Sequence, residues 1–197
     1  PSSELISLYG KEKKKILVGC APCQPFSIYN RNSSNSENRH EDKWKLLYSF
    51  SNLIDETQPD IISMENVPLV VTFEGGKVFK DFIARLEAKN YLVSWSIVNA
   101  QDYGVAQRRK RLILFGTKLG EKIKLIEPTI KDKKYKTVHD AIGHLPSIKD
   151  GETHSEDSLH HAKKLNNLNK QRIRSTPEGG SWNDWDKSLW LECHKKD

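Results

Sequence analysis

Three short stretches of this 197-residue sequence carry side chains suited to covalent chemistry. Cys23 stands in Ala21-Pro22-Cys23-Gln24-Pro25-Phe26-Ser27, where the flanking prolines restrict the backbone and hold a side chain in place, as a nucleophile requires. Taken alone, the same thiol also fits a small buried apolar group, or half of a Cys-x-x-Cys pair with Cys20. Such a redox pair normally opens a helix, and here Gln24-Pro25 follows. Glu65 closes the run Ile61-Ile62-Ser63-Met64. A carboxylate partly withdrawn from solvent holds its proton more tightly and can donate it near neutrality; the plain alternative is a helix-capping or ion-paired glutamate. Gln107-Arg108-Arg109-Lys110-Arg111 leads straight into another apolar run. Strand alternation puts Arg109 and Arg111 on one side, where both can converge on an anion or a carboxylate.

The elements that must position these residues follow from periodicity. Ile16-Leu17-Val18, preceded by three lysines and ended by Gly19, is a buried strand opening into a loop. Ser27 to Asp42 is a polar stretch of the kind that is uncommon inside compact domains unless it is functional. Leu46, Leu47, Phe50, Leu53 and Ile54 recur at helical spacing between Lys43 and Thr57, and Pro59 stops that helix. Residues 60–64 form a second strand. Val78, Phe79, Phe82, Ile83 and Leu86 mark a second helix after Gly75-Gly76. Tyr91 to Val98 is a third strand with Tyr91, Val93, Trp95 and Ile97 on one face, and residues 111–116 are a fourth. This order predicts an α/β fold with a mainly parallel, doubly wound sheet covered by helices, whose functional residues gather at the carboxyl ends of the strands. The loops after Val18 and after Met64 lie at such ends.

Beyond Thr117 the character changes. Residues 119–197 hold six of the seven histidines and little periodicity beyond a short helix around Val138 to Leu145, with Trp182, Trp185 and Trp190 near the end. We therefore divide the chain into residues 1–118 and an irregular second module over 119–197.

Composition narrows the function classes. Lys+Arg number 32 against 26 Asp+Glu, a net charge of +6, and mean hydropathy is −0.69. The excess is spread over both parts and is compatible with a polyanionic partner without requiring one. No run approaches the length of a membrane helix, no secretory signal is visible at the start, and a cytoplasmic location is expected. Three cysteines exclude a disulfide framework. His160-His161 and Cys193-His194 lack zinc-ligand spacing, so no metal site is expected.

Taken in order, the motifs resemble those of the cytosine-C5 DNA methyltransferases. Gly19-Cys20-Ala21-Pro22-Cys23-Gln24-Pro25-Phe26-Ser27 is similar to that family's nucleophile motif, and Met64-Glu65-Asn66-Val67-Pro68 to its Glu-Asn-Val motif. Residues 99–111, from Asn99-Ala100 through Tyr103-Gly104-Val105 to Arg111, resemble its Gln-x-Arg-x-Arg motif. The likeness continues through residues 137–143 to Thr176-Pro177-Glu178-Gly179-Gly180. The resemblance implies a Rossmann-like methyltransferase sheet followed by the start of a target-recognition region. It implies transfer of a methyl group from S-adenosylmethionine to C5 of a cytosine flipped out of double-stranded DNA, through a Cys23 adduct at C6. Glu65, Arg109 and Arg111 are implied as its catalytic partners. Gln24, Ser27, Asn66 and Gln107 are implied as substrate contacts, and Pro22 and Leu46 as cofactor contacts. The long loop after Ser27 is implied as the lid over the flipped base.

Two departures qualify this expectation. Nothing before Lys15 resembles the family's glycine-rich cofactor loop, and its closing motifs do not follow the recognition-like stretch. The chain is therefore expected to be the middle of a methyltransferase, inactive alone and completed by a missing segment or a complementing subunit. Other readings are a non-catalytic fragment and the tRNA-acting branch of the family.

Overall fold

The computed structural model describes residues 2–9, 14–20 and 45–195. It divides into two compact units, Pro1–Gly143 and His144–Asp197.

In the first unit, α1 (Ser2–Leu8) packs on α2 (Lys45–Thr57). α2 buries Leu47, Phe50, Ser51, Ile54 and Thr57, the i, i+3, i+4, i+7 stripe that a helix turns toward a core. It ends where Gln58 adopts a left-handed φ of 44° and Pro59 removes the next donor. α3 (Lys77–Ala88) presents Val78, Phe79, Phe82 and Leu86 in the same way and terminates at Asn90, with φ 64°. Both helices lie against one face of a four-stranded sheet in the order β1-β2-β4-β3, formed by β1 (Ile16–Gly19), β2 (Ile61–Asn66), β3 (Leu92–Asn99) and β4 (Lys110–Thr117). The shared core includes Leu17, Ile62, Met64, Val93, Leu112 and Leu114 from the strands.

The sheet is mixed rather than mainly parallel. Only β1 and β2 pair in parallel; β4 lies antiparallel between β2 and β3. The cause is the connection. Residues 100–109 hold one short 3₁₀ turn, Ala100–Tyr103, which is too little chain for the crossover that a parallel neighbour needs, so β4 must return alongside β3. One consequence matters for the site: the amino end of β4 meets the carboxyl end of β2.

Phe82 is fully buried, with its ring 6.4 Å from that of Phe50. Phe82→Ala is expected to cost about 3–5 kcal/mol, the range for emptying an aromatic core position, read as a fall in the urea midpoint. Tyr91, expected within the third strand, stands just before β3. Its hydroxyl donates to the Pro59 carbonyl at 2.6 Å, and burial, reinforced by the charges of Asp60 and Asp55, pushes its pKa up to about 12. Trp95 and Ile97 do share the helix-facing side with Val93, and Trp95 meets Phe79 of α3 edge to face at 5.2 Å, but on this edge strand each remains 44% exposed.

The first unit continues past the expected boundary at 118/119, because the following segment is tied back. Ser94 Oγ donates to the Ile123 carbonyl, Tyr103 Oη to that of Ile126, and Ile130 N–H to that of Asp102. The short helix expected from Val138 to Leu145 is α4, Val138–Ile142, opened by a Thr137/Asp140 capping box.

In the second unit, α5 (Asn167–Ser175) is capped by the Asn166 side chain on Asn169 N–H. Short 3₁₀ turns follow, and Trp182 stacks on His194 with ring centroids 4.2 Å apart. Arg172 Nε donates to the Leu189 carbonyl, and Trp185 Nε1 donates to Thr176 Oγ1. None of its described side chains is buried, so ring contacts and hydrogen bonds hold it together rather than an apolar core.

Candidate active site

The site is built on the junction of β2 and β4. In the register of these strands Glu65 pairs with Ile113, so Arg111, two residues earlier on β4, is its diagonal neighbour on the same face. That face is the one turned away from the helices, because Met64 and Asn66 on either side of Glu65 are the buried residues of β2. Arg111 Nε lies 2.7 Å from Glu65 Oε1, and the guanidinium of Arg109 reaches the same oxygen at 3.7 Å. The other oxygen, Oε2, accepts a hydrogen bond of 3.1 Å from Cys20 Sγ. The parallel register explains that contact: Gly19 pairs with Met64, so the residue after Gly19 arrives beside Glu65.

Glu65 is therefore ion-paired and is not in the apolar setting expected from its neighbours. Its side chain is 36% exposed and those of Arg109 and Arg111 are 47% and 24% exposed. Ion pairs this open contribute about 0–1 kcal/mol to stability, so the cluster matters for where it holds its groups. Two guanidiniums on one carboxylate leave a local excess of positive charge, suited to a polar carbonyl or an anionic group.

The structure brings together Glu65, Arg109 and Arg111. It does not place Asn66 on the same face, since that residue is 1% exposed on the opposite face of β2, where its Oδ1 accepts from the N–H of Val67. Gln107 is exposed two residues before Arg109, and its backbone N–H donates to the Val105 carbonyl. Leu46 stands 39% exposed in the first turn of α2. Pro22, Cys23, Gln24 and Ser27 lie outside the described residues. Cys20 enters the cluster although the sequence offered it only as a redox partner of Cys23. Counting one residue past the end of a strand parallel to β2 would have found it. Among the described residues no group of His, Cys, Asp and Glu side chains could hold a metal ion, and no helix is long and apolar enough to cross a membrane.

A mixed α/β sheet with a carboxylate and two arginines gathered at the junction of β2 and β4 narrows the class, and comparison with known proteins gives the class its name. The profile of the C-5 cytosine-specific DNA methylases matches residues 5–196, and the chain belongs to that family. It is 50% identical over 194 residues to the Type II methylase M.HgiDII of Herpetosiphon aurantiacus, covering 98% of this chain and 53% of that protein. It is 31% identical over 183 residues to the Type II methyltransferase M1.HphI of Haemophilus parahaemolyticus, covering 90% of this chain and 46% of the relative. A crystal structure from E. coli, described as a DNA modification methyltransferase encoded within a prophage, has the same fold, with a TM-score of 0.59 at 21% identity over 92% of this chain and 51% of its own. The chain thus spans about half the length of the curated relatives it matches.

Proposed function

We propose that this chain is the central part of an enzyme that methylates C5 of cytosine in DNA. Residues 1–118 would carry the chemistry on a Rossmann-like sheet, and residues 119–197 would connect to and begin the target-recognition region. The observation that carries the reading is the Glu65–Arg111–Arg109 cluster, assembled from the two motifs that the family resemblance had singled out. The Type II relatives support a place in a restriction-modification system. Because the match covers about half of each relative, methyl transfer is expected of the whole protein or of a complemented pair.

The chemistry follows from the residues. C5 of cytosine is a weak nucleophile, and a thiolate bonded to C6 turns the ring into an enamine whose C5 can take a methyl group; loss of the C5 proton to a base and departure of the thiolate from C6 then restore the aromatic ring. Cys23 is the proposed thiolate. Glu65 would meet N3 and the exocyclic amine of the flipped base, the base edge replacing the weak Cys20 donor at Oε2 while Arg111 keeps Oε1 in place. Arg109 and Arg111 would face the base carbonyl, and their charge would also favour thiolate over thiol at Cys23. Gln24, Ser27, Asn66 and Gln107 remain the proposed contacts to the nucleic acid, Asn66 from a buried position beside Glu65. S-adenosylmethionine, when bound, supplies the electrophilic methyl group. Of the residues assigned to it, Leu46 fits in offering an exposed apolar side chain for a nucleobase face, with Pro22 as its proposed companion.

Covalent trapping tests the reading. 5-Fluorocytosine in the target cannot lose its C5 substituent, so the adduct persists through a denaturing gel. The whole protein is expected to be captured on duplex DNA in the presence of S-adenosylmethionine and not on a tRNA hairpin. Capture on the tRNA alone would move the enzyme to the RNA-acting branch; capture on neither would end the proposal.

A further inference from the structure

The arginine pair is not held equally. Arg111 lies within β4, where it pairs with Val98, whereas Arg109 precedes the strand and its main chain has no place in the regular ladder. The ladder between β3 and β4 ends at the pair Asn99 and Lys110, and one further bond, Ala100 N–H to the Arg109 carbonyl at 2.9 Å, carries it a step beyond. The reciprocal acceptor for the Arg109 N–H would be the Ala100 carbonyl. That oxygen is taken by the 3₁₀ turn, where it accepts from the Val105 N–H at 3.3 Å. Asn99 fills the gap: its side-chain Oδ1 accepts from the Arg109 N–H at 3.1 Å. A side-chain amide therefore stands in for a missing backbone carbonyl at the residue whose guanidinium reaches Glu65.

We propose that Asn99 is a positioning residue for the methyl-transfer reaction, fixing the main chain of Arg109 so that its guanidinium stays on Glu65. The inference rests on the function proposed above. It predicts selectivity between the two arginines: loss of the Asn99 side chain should act like a partial loss of Arg109 and leave the Arg111 contact, which the strand itself secures, in place.

The test uses the whole protein with Asn99→Ala, Asn99→Asp, Arg109→Ala and the double variant Asn99→Ala/Arg109→Ala. Single-turnover methyl transfer is expected to slow about fivefold in Asn99→Ala, a factor typical of one hydrogen bond, and to return to within about twofold of the unaltered rate in Asn99→Asp, which keeps the acceptor. In the Arg109→Ala background, Asn99→Ala should cost nothing more. A merely structural role would lower the rate by the same factor in both backgrounds, and that additivity would overturn the proposal. Amide hydrogen exchange gives a second reading independent of activity: the Arg109 N–H should be protected in the unaltered protein and in Asn99→Asp, and exposed in Asn99→Ala. Equal exchange in all three would also overturn it. If the unaltered protein transfers no methyl group, the functional reading fails by itself, and the exchange measurement still decides whether Asn99 holds the Arg109 amide.

Discussion

With alanine in place of Cys23, the whole enzyme is expected to lose methyl transfer by more than about 10,000-fold, as when a covalent nucleophile is removed, and to form no covalent adduct with 5-fluorocytosine DNA. The loss should be this large because no other group in the cluster can take over. Cys20 is the nearest other thiol along the chain, but its Sγ is engaged with Glu65 Oε2 at 3.1 Å. Glu65 itself is occupied by Arg111, Arg109 and Cys20. Affinity for DNA should survive, since phosphate contacts and base recognition do not need the thiol. The informative control is Cys20→Ala, which should still be trapped. An adduct that persists in Cys23→Ala and disappears in Cys20→Ala would transfer the nucleophile assignment from one cysteine to the other.

The helices of the first unit were legible because a 3.6-residue period survives in the side chains themselves. Leu47, Phe50 and Ile54 of α2, and Phe79, Phe82 and Leu86 of α3, are apolar in sequence and buried in the fold. The direction of β4 was not legible in the same way, since an apolar strand reads alike in either direction. Its sign lay in the ten or so residues between β3 and β4, fewer than a crossover requires. Reversing β4 is what carries Arg109 and Arg111 to the carboxyl edge of β2, where an all-parallel sheet would have left them at the opposite edge from Glu65.

Other features depend on register or on local capping, which composition does not display. The Cys20 contact requires knowing that Gly19 is opposite Met64. The burial of Asn66 follows from alternation, which places it with Ile62 and Met64 on the core side and Glu65 on the other, while motif likeness alone groups the two as contacts of the base. α5 escaped detection because Asn167–Ser175 carries no apolar stripe; its one local sign was Asn166, a residue type that caps helices. A helix of that kind is fixed by its contacts, here Arg172 on the Leu189 carbonyl and Lys170 on Asp150, and periodicity cannot announce it.

Glu65→Gln is expected to slow methyl transfer by about 100-fold to 10,000-fold, the range for a positioned proton donor, while leaving the fold intact. Glutamine preserves the shape of the side chain and can still accept from Arg111, so the substitution separates charge and proton transfer from packing. It cannot pass a proton to N3, and it gives up the charge-assisted character of the bond at 2.7 Å to Arg111 Nε. Because all three charged side chains are a quarter to a half exposed, the thermal midpoint should shift by only about 2–4 °C or less, which corresponds to about 1 kcal/mol in a chain of this size. Removing the arginines should grade by geometry. Arg111→Ala, which takes away the closer and less exposed partner, should approach the loss in Glu65→Gln, and Arg109→Ala, which removes the partner at 3.7 Å, should cost distinctly less. In the double variant Glu65→Gln/Arg111→Ala the two losses should not multiply, because Arg111 acts through the carboxylate it holds. Single-turnover rates for these four proteins, measured beside their melting midpoints, decide the matter. A Glu65→Gln enzyme that turns over within a few-fold of the unaltered protein would remove Glu65 from the chemistry and leave the cluster with a structural role only.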